Sequence, residues 1–182
     1  MLATILIVVA ALIVGVLLLA ASRSSDVHVA RTATLTAPPS AVFPHLNDLR
    51  KFQAWSPWAK LDPNCQVTFE GPATGIGSSF SWTGNNKVGA GKMTITDSRA
   101  SETVGFHMDF YKPFAGVAEG RLVFKPSGSG TEATWTMDSK ANFMMKVMGL
   151  FMSMDKAIGA QFEKGLANLD AVSRAGAATD KV

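Results

Sequence analysis

The chain of 182 residues lacks most of the side-chain patterns from which an active site could be built. It has one cysteine, Cys65, so it cannot form an internal disulfide, and cysteine usage does not indicate a compartment. Its three histidines, His28, His45 and His107, lie far apart and lack metal-ligand spacing. The Gly-rich run at residues 71–77 lacks the Lys-Ser/Thr of a phosphate loop, and no G-x-S-x-G motif occurs. We therefore predict no catalytic residue, no metal and no cofactor.

Charged residues are also sparse. They make up 17% of the chain, with a formal net charge of +3. The lysines and arginines are scattered and form neither a cluster nor a nucleic-acid-binding motif. We predict no nucleic-acid partner, and at most a mildly basic surface that favours anionic lipid headgroups.

A long apolar run at residues 2–21 stands out against this background. These residues carry no charge, and only Thr4 and Gly15 interrupt them. A helix rising about 1.5 Å per residue would cross the hydrocarbon core of a bilayer over this length. We predict a transmembrane anchor at residues 1–22 and a linker at 23–26. A cleaved signal peptide is the alternative, but no basic residue precedes the run, and Leu19 replaces the small residue that a cleavage site prefers.

The orientation of this anchor depends on few charges. Arg23 and Arg31 follow the run, and no charged side chain precedes it. The positive-inside bias favours a single-pass protein with its domain in the cytoplasm. A periplasmic domain stays open.

The rest of the chain predicts one α+β domain. Apolar and polar residues alternate with the period of a β-strand at residues 27–36, 65–70, 79–83, 92–96, 104–111, 121–125 and 134–138. Turns rich in Gly, Asn and Ser separate these segments, which favours an antiparallel sheet with one buried face. Residues 40–50 suggest one or two short helices, and apolar residues from Met154 to Val172 have the spacing of a long helix.

Four segments carry a resemblance to the SRPBCC superfamily, with its START-like or helix-grip fold, and to its polyketide cyclase/dehydrase-like branch. They are APPSAVFPHLNDL at 37–49, FQAWSPW at 52–58, GPATGIGSSFSWTGNNKVGAGKMTI at 71–95 and MDKAIGAQFEKGLANL at 154–169. The resemblance implies a seven-stranded antiparallel sheet curled around a long C-terminal helix and enclosing an apolar cavity, over residues 27–173. Residues 174–182 would form a flexible tail. The chain resembles especially the bacterial members that carry an N-terminal membrane helix, which implies the inner (cytoplasmic) membrane of a bacterium. The superfamily includes lipid-transfer domains, aromatic cyclases, ring-hydroxylating oxygenase subunits and proteins with no known ligand.

The predicted buried face is rich in large apolar side chains, which either fill a core or line a cavity. The resemblance favours a cavity. The predicted lining residues are Trp55, Trp58, Phe69, Phe80, Trp82, Met93, Phe106, Met108, Phe110, Phe124, Trp135, Met148 and Phe151. Trp55 and Trp58 flank a Ser-Pro turn, where they either line the entrance of the cavity or hold the short helices against the sheet.

Residues 142–154, NFMMKVMGLFMSM, are apolar on all sides of a helix. Such a segment is a core helix, a gate over the cavity mouth, or a surface that lies on a membrane or a partner protein.

The sequence leaves three alternative functions open. The first is a membrane-anchored, non-catalytic binding domain for a hydrophobic ligand such as a lipid, a quinone or a polyketide-like small molecule. The second is an accessory or assembly subunit of a membrane protein complex, contacting its partner through residues 143–154. The third is a cyclase- or dehydrase-like enzyme, for which no buried acid–base residue can be identified, because Glu70, Asp97 and Glu119 are isolated in the sequence.

Overall fold

The structure, a computed structural model, describes residues 1–179. The elements in chain order are α1 Leu2–Ser22, β1 Asp26–Leu35, α2 Pro39–Val42, α3 Pro44–Asn47, α4 Leu49–Trp55, β2 Gln66–Glu70, β3 Ser79–Thr83, β4 Ala90–Arg99, β5 Thr103–Lys112, β6 Gly116–Ser127, β7 Gly130–Lys140, α5 Phe143–Met148 and α6 Met154–Thr179.

The seven strands form one antiparallel sheet in the order β1-β7-β6-β5-β4-β3-β2. The first strand pairs with the last, with Val29 opposite Met137, while β2 to β7 follow one another as a meander. In β4 the register shifts between Ile95 and Asp97, an irregularity of the kind that bends a strand. The predicted seven-stranded antiparallel sheet is confirmed.

Helix α6 packs on the sheet through one apolar stripe, as its spacing predicts. Phe162, Leu166 and Leu169 are buried in the common core. Arg31 on β1 also holds the helix, since its guanidinium pairs with Asp155 at 2.9 Å and with Glu163 at 2.9 Å. The predicted long C-terminal helix is confirmed.

Several boundaries differ from those predicted. Residues 39–55 form three short helices. The last of them, α4, begins at Leu49 because Asp48 caps it by accepting from the amides of Arg50 and Lys51, and it ends at Trp55. Helix α6 runs on to Thr179, past residue 173, where the domain was expected to end. Of the predicted tail at 174–182, residues 180–182 lie outside the described part of the chain.

Helix α1 is long and apolar enough to cross a membrane by length and composition, a criterion that a signal sequence near the N-terminus also meets. It contacts α5, and Ala20 is its one fully buried residue. Helix α5 ends at Met148 and buries none of its residues. The apolar segment at 142–154 is therefore not a core helix.

Candidate ligand-binding site

A cavity of about 410 Å³, partly open to solvent, lies between the concave face of the sheet, the region around α4, and α6. Its lining comprises Phe52, Gln53, Ser56, Trp58, Ala59, Asp62, Pro63, Cys65, Val67, Phe80, Trp82, Lys87, Val88, Met93, Phe106, Met108, Phe110, Gly120, Trp135, Met137 and Phe162. Most of these side chains are apolar. The wall is therefore suited to an apolar molecule rather than a charged one.

The structure brings eight of the thirteen predicted lining residues together around this cavity. They are Trp58, Phe80, Trp82, Met93, Phe106, Met108, Phe110 and Trp135. Seven of them lie on β3, β4, β5 and β7, where strand alternation determines which side chains face inward. Trp58 belongs to the loop after α4.

The other five predicted residues lie outside the lining. Trp55 is fully buried in the core, where its indole N–H donates to the His45 carbonyl at 2.9 Å. Phe124 is also in the core, and Phe69 on the edge strand β2 lies under the Arg50 guanidinium, 4.7 Å from the ring centroid. Met148 and Phe151 are exposed, so these two predicted positions are corrected to the surface beside α1.

Sequence reasoning missed several lining residues that do not lie on strands. Phe52 comes from α4 and Phe162 from α6, and both are in the core cluster as well as in the cavity wall. The helical spacing of Phe162 marked it as buried, but not as facing a cavity. Asp62 and Cys65 lie in the loop before β2, for which the sequence carries no periodic signal.

An aromatic cluster forms one wall of the cavity. The Trp135 ring stacks on Phe162 at a centroid distance of 4.2 Å with an interplanar angle of 3°. Trp58 contacts both rings edge-on, at 5.9 Å and 6.2 Å. These contacts join β7 to α6 and to the loop after α4, so the wall is held by three separate parts of the chain.

The main polar feature of the lining is the buried Asp62. One carboxylate oxygen accepts from the Asn85 amide at 2.7 Å, and the other accepts from the Asn64 amide at 3.0 Å. These bonds tie the loop before β2 to the β3–β4 hairpin, which the Trp82 indole also holds by donating to the Val88 carbonyl. Asp62 thus shapes one side of the cavity.

Cys65 lies in the same part of the lining. Burial raises the pKa of its thiol above the ordinary value, and the negative charge of Asp62 raises that pKa further. The thiol is therefore protonated at neutral pH and a poor nucleophile. Among the described residues, no three His, Cys, Asp or Glu side chains are grouped to hold a metal ion.

The acidic residues considered for acid–base roles lie away from the cavity. Glu70 pairs with Lys92 at 2.7 Å, Asp97 with Arg121 at 2.7 Å, and Glu119 with His107. None of them contributes to the cavity lining.

The pairing of His107 predicts a specific pH dependence of stability. The hydrogen bond to Glu119 raises the pKa of His107, and the charges of Glu119 and Asp109 act in the same direction. The resulting stabilisation is fully present below the unfolded-state pKa of roughly 6.5 and is lost as pH rises through the folded-state value. We expect His107→Gln to cost more free energy of unfolding at about pH 6 than at about pH 8, measured by urea unfolding.

Glu119→Gln is the matched variant, because it removes the hydrogen-bonding carboxylate and keeps the histidine. It should reduce the same pH dependence. An equal cost of His107→Gln at both pH values would contradict the assignment.

The sheet, the helix it grips and the apolar cavity define a helix-grip domain of the SRPBCC superfamily. The chain belongs to the polyketide cyclase / dehydrase and lipid transport family, whose model matches residues 26–174. No curated protein is significantly similar to it in sequence.

Solved structures with the same fold come from several organisms. An uncharacterized protein from Rhizobium leguminosarum superposes with a TM-score of 0.60 at 12% identity, covering 84% of this chain and 97% of its own. The ginseng major latex-like protein 151 from Panax ginseng gives a TM-score of 0.58 at 11% identity, covering 82% and 98%. Protein Ms6760 from Mycobacterium smegmatis gives 0.56 at 21% identity, covering 81% and 91%. At these identities the likeness shows the fold alone.

Proposed function

We propose that the protein is a membrane-anchored, non-catalytic binding domain for a small hydrophobic ligand. The observation that carries this proposal is the cavity of about 410 Å³ with its wall of Phe, Trp and Met side chains. Apolar clefts of this size, with few polar groups, are typical small-molecule sites. The family description, which includes lipid transport, also supports binding of a hydrophobic ligand.

The size and chemistry of the cavity indicate the class of ligand. A space of about 410 Å³ suits a drug-sized molecule, such as a single acyl chain, a short-chain quinone or a fused-ring polyketide. Met93, Met108 and Met137 give the wall flexible side chains that adapt to different apolar shapes. Affinity would come mainly from burying apolar area, at about 25 cal/mol per Å².

The ionisable groups in the lining favour binding over catalysis. Both Asp62 oxygens already accept backbone hydrogen bonds, and the Cys65 thiol is held protonated. Lys87 is exposed at the β3–β4 hairpin. None of these groups forms an acid–base pair with another across the cavity.

The role of α1 in this proposal is to hold the domain at a bilayer. Its length and composition match a single membrane span, and Arg23 follows it directly. We place the protein in the inner membrane of a bacterium with the domain on the cytoplasmic side, next to a reservoir of apolar ligands.

An accessory subunit of a membrane protein complex is the second candidate. The observation that favours it is the exposure of Phe143, Met144, Phe151 and Met152 beside α1. A partner protein that purifies with the chain in constant proportion would support it.

One experiment on the full-length protein tests the anchor and the binding site together. The chain is purified from its membrane in mild detergent and analysed by native mass spectrometry, before and after removal of bound small molecules. We expect a mass that includes residues 1–22 and one apolar molecule per chain. We also expect N-ethylmaleimide to label Cys65 more slowly in the loaded form, because this thiol lines the cavity.

A matched control moves the thiol out of the cavity. In the double variant Cys65→Ser and Thr68→Cys, the thiol lies on the exposed side of β2, and its labelling should not depend on the bound molecule. A mass lacking residues 1–22 would overturn the anchor. An empty chain, or equal labelling of Cys65 in both forms, would overturn the binding function.

A further inference from the structure

A second cleft lies where α1 meets α5, outside the cavity described above. The linker after α1 is joined to the end of β7, since the Ala141 amide donates to the Ser25 carbonyl at 2.7 Å. Helix α5 begins at once, with Asn142 as its cap accepting from the Met145 amide at 2.9 Å. The C-terminal end of α1 and the start of α5 are therefore fixed side by side, which agrees with the contacts between the two helices.

The cleft is positively charged and has no acidic residue in its wall. Its volume is about 420 Å³, and its lining comprises Arg23, Ser24, Val27, Ala141, Met145, Lys146, Gly149, Leu150, Phe151, Met152, Ser153 and Met154. Neither Arg23 nor Lys146 forms an ion pair with any residue that the structure describes. The nearby Lys140, by contrast, pairs with Asp26 at 2.9 Å. The two lining cations are thus available to an anion.

Exposed apolar side chains border the same cleft. Phe151 is 79% exposed and Met152 52% exposed, and both also belong to the cleft wall. Phe143 and Met144 on α5, the helix that contacts α1, are exposed as well. Apolar side chains next to basic ones are the pattern of an element that lies at a membrane interface.

We propose that this cleft binds the phosphate-bearing headgroup of an anionic phospholipid, with Arg23 and Lys146 on the phosphate and Phe151 and Met152 against the acyl chains. The inference rests on the proposed function only in placing α1 across a bilayer. A span ending at Ser22 brings Arg23 to the headgroup level, where anionic lipids attract basic side chains. A free phosphate ion would satisfy the two cations but would leave the apolar border without a role.

The test compares two lipids with the same acyl chains on the full-length protein in mild detergent. Native mass spectrometry measures the binding of dioleoyl phosphatidylglycerol and dioleoyl phosphatidylcholine. We expect preferential retention of phosphatidylglycerol. Arg23→Gln and Lys146→Gln should each weaken that retention about fivefold, and the double variant roughly 30-fold.

Lys125→Gln is the matched control. Lys125 is an exposed cation opposite Glu132, near the hairpin that joins β6 to β7. The cleft lies at the other end of β7, where Lys140 pairs with Asp26 just after α1. This variant should bind phosphatidylglycerol like the unmodified protein. Replacing both Phe151 and Met152 with serine should also weaken lipid binding, because the acyl contacts are lost.

Four results would overturn the inference. They are equal binding of the two lipids, unchanged binding by the double glutamine variant, displacement of phosphatidylglycerol by an equal concentration of inorganic phosphate, and co-purification of a membrane protein that covers the cleft. If residues 1–22 are retained and Cys65 is protected while phosphatidylglycerol is not preferred, only this inference fails. Loss of residues 1–22 or an unprotected Cys65 would instead count against the proposed function.

Discussion

Replacing Trp135 with alanine is expected to lower the free energy of unfolding by about 3–5 kcal/mol, the usual range for truncating a buried tryptophan. The side chain is buried, stacks on Phe162 at 4.2 Å and contacts Trp55 edge-on at 5.5 Å. It also packs closely on α6, because a Cβ added at Gly165 would lie 2.7 Å from the Trp135 ring. Losing it would remove the packing that joins the last strand to the helix.

The measurement is chemical unfolding of the full-length protein in mild detergent, followed by near-ultraviolet circular dichroism. Tyr111→Ala is the control, since Tyr111 is largely exposed and its loss should change stability by no more than about 0.5 kcal/mol. Trp135→Phe should fall between the two, because a smaller ring can still stack on Phe162. A cost for Trp135→Ala as small as that for Tyr111→Ala would show that this wall does not hold α6.

The strands were the most predictable part of the fold. Each strand buries one face, so apolar and polar residues alternate along its sequence. β3 was predicted with its observed bounds, Ser79–Thr83. β4 was predicted to stop at Thr96 but continues to Arg99, since the register shift between Ile95 and Asp97 breaks the alternation. β6 begins at Gly116, and Gly116, Ala118 and Gly120 offer too little apolar contrast to mark its first half.

The site was less predictable than the fold, because its geometry depends on how the helices dock. Trp55 and Trp58 lie three residues apart around one turn, yet only Trp58 reaches the cavity. No local pattern separates them. Phe52 and Phe162 come from helices whose apolar positions serve both the core and the cavity wall. Asp62 is positioned by a hydrogen bond from the Asn85 amide, which lies 23 residues away on the β3–β4 hairpin.

Composition alone could not show what the apolar segment at 142–154 packs against either. An all-apolar helix suits a core, a membrane or a partner equally well. Its position was decided by the short connection from β7, which places α5 against α1 rather than over the cavity. Met148 and Phe151 were therefore moved from the predicted lining to the surface by topology, which the sequence period does not encode.

Blocking the cavity from β6 is expected to abolish most ligand binding without unfolding the domain. Gly120 lines the cavity, and a Cβ at this position would lie 3.0 Å from Met108 Cε, the flexible end of a side chain that can move aside. Gly120→Leu should therefore fold, with its side chain in the space that the ligand needs. Excluding two or more ligand methylenes, at about 0.8 kcal/mol each, predicts at least about tenfold weaker binding.

Decylubiquinone is a suitable probe for this prediction, because a quinone in the cavity would quench the fluorescence of Trp58, Trp82 and Trp135, which line it. The matched control is Gly116→Leu in the same strand, where an added Cβ has no atom within 4 Å. It should leave both quenching and stability unchanged. Because the quinone partitions into the detergent equally in both samples, a loss of quenching in Gly120→Leu alone reflects the cavity. If Gly120→Leu keeps its circular dichroism spectrum and is quenched like the unmodified protein, the quinone does not occupy this cavity. If it alone loses quenching, the glycine in β6 is what keeps the concave face of the sheet open to a ligand.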